Sequence, residues 1–144
     1  MQADTARFFE DYVAAFNGAL HELSDFEAVR AAFASCFVGA GPAGVVCGQN
    51  DSSFLEYLRN GYAFYRSIGT RRMILLRVEE TLIDATHRMA RVFYSSEYAR
   101  HDGTMVTIDF DVTYMLRFAD GTPRIFAFVT GDEQAALREH GLIR

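Results

Sequence analysis

Two Asp-Gly pairs near the end of the chain constrain its fold more than any other feature. Asp102-Gly103 and Asp120-Gly121 each stand between two runs in which apolar and polar residues alternate. An Asp-Gly pair in this setting is the strongest short-range signal of a β-hairpin, because a type I′ turn needs positive φ at both central residues. The pattern therefore predicts a meander of antiparallel strands over the last third of the chain.

The residues before this meander are predicted to be mostly helical. Apolar residues at helical spacing predict helices over about 3–21, 25–34 and 53–68, and Ser24 to Glu27 form a capping box at the start of the second helix. Predicted strands cover 36–38, 45–47, 73–83, 88–100, 105–118 and 124–129, and a short helix from Asp132 to Gly141 closes the chain. Helices grouped ahead of a meander indicate one α+β domain over residues 1–144, with the helices on one face of the sheet.

Composition excludes several classes of function. The net charge of −5 argues against a surface for nucleic acid or anionic membrane. No stretch approaches the roughly 20 apolar residues of a membrane span and no secretory signal is visible, so we expect a cytoplasmic protein. We expect Cys36 and Cys47 to be reduced thiols in the core, and no neighbour stands at zinc-ligand spacing.

A glycine-rich segment matches a nucleotide-binding motif only in its letters. Gly39 to Gly44 fit the pattern G-x-G-x-x-G, but strand-like Val45-Val46-Cys47 follows where a dinucleotide site needs a helix. Pro42 also lies inside the turn. We interpret the segment as a hairpin, and we predict neither a cofactor nor a metal.

The two hairpins also predict which strand residues face the helices. Side chains alternate between the two faces, so a two-residue turn at Asp102-Gly103 places Tyr114 opposite Arg91, and a four-residue loop over Asp84–His87 places Arg91 opposite Glu80. This polar row lies between apolar rows, one of which contains Leu116. It predicts either a cavity beneath the helices or a row at the uncovered margin of the sheet, and an ion pair between Glu80 and Arg91 without any ligand is a further interpretation. A bulge in any strand would shift the assignment by one residue.

The same register places an apolar patch on the opposite face of the sheet. Such a patch predicts contact with a second copy in a two-fold dimer. Its predicted residues are Val92, Tyr94, Met115, Phe126 and Phe128. Asp109 and Asp111 fall on this outer face, so we interpret them as rim or dimer residues and not as a catalytic pair of carboxylates.

Three short motifs make the chain similar to a known superfamily. They are Asp11 to Asn17 in the first helix, Phe33 to Ser35 ahead of the first strand, and Leu116 to Gly121 late in the sheet. They resemble the nuclear-transport-factor-2-like superfamily, which includes ketosteroid isomerases, SnoaL-like polyketide cyclases and scytalone dehydratase. Over essentially the whole chain, the resemblance implies a cone-shaped, curved antiparallel sheet wrapped by three helices, a pocket at its mouth and frequent dimerisation.

The resemblance also implies roles for single residues. Tyr12 matches the isomerases' helix tyrosine that donates a hydrogen bond to the substrate oxygen, and Tyr114 falls where those enzymes keep a second donor. Their general base corresponds to Gly41, which has no side chain to accept a proton. Dehydratases of this class use histidines, but all four histidines here fall at helix ends or turns. Glu80 and Glu97 are then the candidate bases.

Two hypotheses about function follow. The first is a homodimer whose apolar pocket binds a small apolar molecule bearing an oxygen, with lyase or isomerase chemistry on a ring or carbonyl compound as its candidate reaction. The predicted pocket contains Phe16, Tyr62, Tyr65, Glu80, Arg91 and Leu116 beside the two candidate catalytic tyrosines, Tyr12 and Tyr114. The alternative is a non-catalytic homodimeric association module with a filled core.

Overall fold

Six strands form one open, mixed sheet with the helices packed on its inner face. The computed structural model describes residues 2–21 and 26–144. Its elements are α1 (Gln2–Leu20), α2 (Glu27–Arg30), β1 (Phe33–Gly41), β2 (Gly44–Gln49), α3 (Ser52–Ser67), β3 (Thr70–Leu82), β4 (His87–Ala99), β5 (Met105–Arg117), β6 (Arg124–Thr130) and α4 (Glu133–Glu139). The strand order across the sheet is β2-β1-β6-β5-β4-β3. The predicted α+β class is confirmed.

The early part of the chain departs from the predicted boundaries. α2 is a single turn, because Phe33 and Ala34 already belong to β1. The capping box predicted at Ser24 lies outside the described residues. β1 reaches the meander through a parallel pairing with β6, in which Phe33 lies opposite Ile125. No turn motif in the sequence predicts this pairing, because the two strands are far apart along the chain.

The first Asp-Gly turn is a three-residue loop, and it changes the register of β4. The Gly103 N–H donates to the Arg100 carbonyl at 2.9 Å, and Gly103 has a φ of +87°. These are the marks of a type I turn followed by a left-handed glycine. Ala99 therefore lies opposite Met105, and Tyr114 lies opposite Ala90. A slip of one residue reverses the face of a whole strand, so the predicted faces of β4 were wrong.

Three predicted assignments on β4 change with this register. Val92 and Tyr94, predicted at a dimer interface, are buried in the core of the protomer. Arg91, predicted to face the helices, lies on the outer face, where its Nε donates to Asp111 at 2.9 Å. The predicted pairing of Arg91 with Glu80 was therefore wrong. Asp111 lies on the outer face as predicted.

A bulge between β5 and β6 corrects one further assignment. Leu116 lies opposite Ile125 as predicted, but Met115 lies opposite Ala127, which leaves Phe126 as the extra residue. Beyond the bulge Phe128 turns inward, and its ring lies 6.1 Å from that of Phe33. Phe128 therefore packs against the core, not on the outer face.

Asparagine side chains fix the helices to the ends of strands. The Asn17 carboxamide donates to the Met73 carbonyl and accepts from the Met73 N–H, each at 2.9 Å, which holds α1 against β3. The Asn50 carboxamide donates to the carbonyls of Arg30 and Phe33, each at 3.0 Å. These bonds satisfy backbone groups that helices and strands leave unpaired at their ends.

Two further predictions concern the cysteines and membrane-spanning segments. Cys36 and Cys47 are both exposed, so the predicted core position of these thiols was wrong. Among the described residues, no helix is both long and apolar enough to cross a membrane.

Candidate functional site

The inner face of the sheet carries a pair of hydrogen-bonded tyrosines. The hydroxyls of Tyr94 on β4 and Tyr114 on β5 lie 2.7 Å apart, and both side chains are buried. Both point toward α1 because even-numbered residues of these two strands share the inner face. Ala90, opposite Tyr114, leaves room for the phenol ring on that face.

Two aromatic residues of α1 pack against this pair. The Phe9 ring centroid lies 4.8 Å from that of Tyr114, and the Tyr12 ring centroid lies 6.3 Å from it. Residues 9 and 12 are neighbours on one helix face, because side chains three apart point in similar directions. The predicted convergence of Tyr12 and Tyr114 is therefore present in the structure.

α3 contributes two more tyrosines to the same interior. Tyr62 packs against Phe16 of α1, with ring centroids 5.1 Å apart, and Tyr65 lies 5.9 Å from Phe16. The Tyr65 hydroxyl donates to Glu133 Oε2 at 2.7 Å, which links α3 to the first residue of α4. We call Tyr12, Tyr62, Tyr65, Tyr94 and Tyr114 the phenol cluster.

Burial keeps the phenol cluster protonated. Desolvation raises the pKa of Tyr12 to about 12. Burial likewise raises the pKa of Tyr62, Tyr94 and Tyr114, and for Tyr65 the neighbouring Glu133 carboxylate adds to the rise caused by burial. At neutral pH these side chains are hydrogen-bond donors, and none of them can serve as a general base.

Two hydroxyls of the cluster have no hydrogen-bond partner in the part of the chain that the structure describes. Within residues 2–21 and 26–144, no hydrogen-bonding group lies within reach of the Tyr12 or Tyr62 hydroxyl. Among the described side chains, Thr70 Oγ1 alone is both fully enclosed and unsatisfied, so the two phenol oxygens open onto space that solvent can reach. Each of these two hydroxyls therefore keeps a hydrogen-bonding capacity that no described protein group uses.

Glu80 faces the helices as predicted, but a different arginine pairs with it. Arg88 Nη1 lies 3.3 Å from Glu80 Oε2 and donates to Thr5 Oγ1 at 2.9 Å, and Thr5 donates to Glu80. The Arg88 guanidinium also lies 3.9 Å from the centroid of the Phe118 ring. With its oxygens held in this cluster, Glu80 is not placed as a base for the phenols.

The other candidate acid–base positions lie away from the cluster. Glu97 is on the outer side of β4, where it pairs with Arg72 at 2.7 Å, so its predicted inward position was wrong. Gly41 ends β1 opposite Gly44. Of the described carboxylates, Glu133 alone is hydrogen-bonded to a member of the phenol cluster.

Two surface clefts lie among the described residues, and neither contains the phenols. One of about 330 Å³ lies between α1 and β3 and includes Glu10, Arg77 and Glu80. The other, of about 490 Å³, lies where α3 ends beside the β4–β5 loop and includes Arg66 and Arg100. The predicted pocket around Tyr12 remains a prediction, and Leu116, assigned to it, is fully buried in the core.

Sequence reasoning missed Tyr94 and Phe128 as parts of this interior, and it missed the exposed Glu133 as the partner of Tyr65. Gly39 and Gly48 carried a usable signal for the inner face. A Cβ on Gly39 would lie 2.6 Å from the Phe128 ring, and one on Gly48 would lie 2.5 Å from the Phe37 ring. Glycine in a strand marks such close approach. Nothing in the spacing of Tyr65 and Glu133 pointed to their contact.

Comparison with known proteins places this fold in a family. A family model described as NTF2-like protein (DUF6841) matches residues 3–133. The chain belongs to this NTF2-like family. No curated protein matches it.

Solved structures share the fold of this NTF2-like chain at low sequence identity. A ketosteroid isomerase-like protein from Erwinia carotovora atroseptica is 19% identical, with a TM-score of 0.64 over 90% of this chain and 93% of its own. An NTF2-like protein with a cystatin-like fold from Novosphingobium aromaticivorans is 11% identical, with a TM-score of 0.68 over 99% and 88%. The beta subunit of the benzoate 1,2-dioxygenase from Burkholderia mallei is 17% identical, with a TM-score of 0.66 over 94% and 92%. At these identities the likeness shows the fold alone.

Proposed function

We propose that this NTF2-like protein binds a small apolar molecule bearing an oxygen, such as a ring ketone, against its phenol cluster. The supporting observation is that the partly buried Tyr12 and the buried Tyr62 each present a hydroxyl without a partner among the described residues. The surrounding rings supply an apolar wall, and apolar sites with a few convergent polar groups are the usual ligand sites.

A ligand carbonyl in this place would accept hydrogen bonds from the phenols. Donors aimed at an oxygen on which charge develops lower the barrier to enolisation and elimination, so the candidate reaction is that of a lyase or isomerase. Proton abstraction needs a base as well, and Glu133 is the carboxylate already bonded to the cluster through Tyr65. Both the free thiols and the net charge of −5 fit a cytoplasmic location, which is part of this proposal.

A thermal-shift screen of steroids, aromatic polyketides and aromatic ketones tests the binding proposal. We expect at least one compound to stabilise the protein, with affinity reduced about tenfold in Tyr12→Phe, since one hydrogen bond is worth roughly 1 kcal/mol or more. Tyr57→Phe is the matched control, because Tyr57 lies on the same helix as Tyr62 but is 73% exposed. No stabilisation by any compound, or equal stabilisation of Tyr12→Phe, would contradict the proposal.

A second candidate function is self-association through the outer face of the sheet. An apolar strip crosses β4, β5 and β6 there, formed by Met89, Met115, Phe126, Ala127 and Val129, and Met89 and Val129 are exposed. Arg91 and Asp111 flank it with opposite charges. A face that carries both charges beside an apolar strip is complementary to a copy of itself, so we propose a two-fold dimer.

Light scattering at micromolar concentration tests the dimer. We expect a dimer for the native chain and a monomer for Val129→Glu, because the substitution would bury a charge in the contact. Tyr57→Glu, which adds the same charge on a helix, should remain dimeric. A monomeric native chain, or an unchanged dimer in Val129→Glu, would refute this arrangement.

A further inference from the structure

The two cysteines of the chain project from the same side of neighbouring strands. Cys36 lies opposite Gln49 and Val38 lies opposite Cys47, so the cysteines are diagonal neighbours in the β1–β2 ladder. The alternate positions Phe37 and Gly48 face the core, where the Phe37 ring packs against Phe54. Both thiols therefore lie on the outer face, and both are exposed.

The Cα–Cα distance between diagonal neighbours is too long for a disulfide, but it suits two thiolates that share one metal ion. Diagonal residues in an antiparallel ladder have Cα atoms about 7–8 Å apart. A disulfide needs Cα atoms closer than about 7 Å, so a direct bond would require movement of the backbone. A metal ion between two sulfurs adds about 2.5 Å to their separation, since each metal–sulfur bond is about 2.3 Å long. The diagonal placement of Cys36 and Cys47 is therefore compatible with one ion bound between their two thiolates.

The donor set selects the kind of ion. Among residues 2–21 and 26–144, no three side chains of histidine, cysteine, aspartate or glutamate are grouped to hold a metal, so a tetrahedral zinc site is not formed. Soft thiolate ligands favour cuprous ion, which is stable with two ligands in a line.

We propose that Cys36 and Cys47 form a two-coordinate thiolate site for a soft metal ion, with cuprous ion as its ligand. Binding exchanges the two thiol protons for the ion: two S–H bonds break, two copper–sulfur bonds form and two protons enter the solvent. No group changes its oxidation state. Because protons are released, affinity must fall as the pH is lowered.

Anaerobic titration of the full chain against cuprous bathocuproine disulfonate tests this site. We expect one cuprous ion per chain, and a loss of affinity of at least about tenfold in each of Cys36→Ser and Cys47→Ser, because each removes one of two ligands. Gln49→Ala, which changes the neighbour opposite Cys36, is the matched control and should bind as the native chain does. Circular dichroism of each variant checks that the sheet is intact.

Three results would overturn the proposal. They are failure of the chain to compete for cuprous ion, retention of native affinity by either serine variant, and one ion per two chains. Formation of an internal disulfide on exposure to oxidised glutathione would also count against it, because the thiols would then be close enough to bond directly. None of these readouts depends on the phenol cluster.

Discussion

The hydroxyls of Tyr94 and Tyr114 lie 2.7 Å apart across adjacent strands, and together they form a buried polar contact within an aromatic core. We expect Tyr94→Phe and Tyr114→Phe each to lower the free energy of unfolding by about 1–3 kcal/mol, because each deprives the other hydroxyl of its partner. The double variant should lose clearly less than the sum of the two. Urea unfolding of the native chain, the two single variants and the double variant gives a double-mutant cycle. Additive losses of the free energy of unfolding would show that the contact contributes nothing.

Stability should fall in alkaline solution because of Tyr12. Its pKa is raised in the folded state, from 10.0 to about 12, so the neutral phenol stabilises the fold fully below about pH 10. That contribution is lost as the pH rises from about 10 to 12, and a shift of this size amounts to roughly 2–3 kcal/mol. Tyr12→Phe should therefore show a shallower alkaline decline in urea unfolding. Phe9→Leu disturbs the same core without removing a titratable group, and it should keep the native slope.

The buried ion pair predicts a large difference between two arginines. The side chains of Arg88 and Glu80 are 9% and 4% exposed, whereas those of Arg91 and Asp111 are 53% and 39% exposed. Arg88→Met should cost about 3–5 kcal/mol, because it leaves Glu80 buried without its counter-charge. Arg91→Met should cost about 1 kcal/mol or less. Equal losses of the free energy of unfolding in the two variants, measured by chemical denaturation, would mean that the charge of Arg88 does not stabilise the buried Glu80.

Two glycines should respond to alanine in opposite directions. In Gly39→Ala the new Cβ would lie 2.6 Å from the Phe128 ring, so we expect a loss of about 1–3 kcal/mol from overpacking. At Gly61, inside α3, a Cβ would meet nothing within 4 Å. Gly61→Ala should therefore stabilise the protein by about 0.5–1 kcal/mol. Thermal unfolding separates the two, and a stable Gly39→Ala would mean that the Phe128 ring moves freely.

The faces of β5 were predictable from sequence, and those of β4 were not. In β5 the inward residues Val112, Tyr114 and Leu116 alternate with outward residues that are polar except for Met115, so the strand's own alternation identifies its buried side. In β4 the inward and the outward residues each include polar and apolar side chains, with Arg88 among the inward residues and Phe93 among the outward ones. Its face then depends on the turn, and an Asp-Gly pair fits two loop lengths that differ by one residue. Because the shorter loop was assumed, Arg91 was predicted to face the helices, whereas it lies on the outer face of the sheet.

Contacts between distant segments were beyond sequence reasoning for a different reason. Tyr65 meets Glu133, and Thr5 meets Glu80, through packing of whole elements. No local turn or periodic pattern in the sequence predicts such contacts. The α1 tyrosine was found because the resemblance and the helix stripe both pointed to Tyr12. That its hydroxyl has no partner among the described residues is a property of the packed structure, which no sequence pattern indicates.

The parallel contact of β1 with β6 has a consequence for how the chain folds. Phe33 and Ile125 can pair only after a loop of about 90 residues closes, which is entropically costly, whereas β4 and β5 are joined by a short turn. We expect the β4–β5 hairpin to be formed in the folding transition state and the β1–β6 seam to be formed after it. Stopped-flow kinetics should show Ile125→Val mainly accelerating unfolding and Val112→Ala slowing folding. The β1–β2 hairpin, which carries the thiols, would then be the last part of the sheet to join, and the aromatic interior would be closed only at that step.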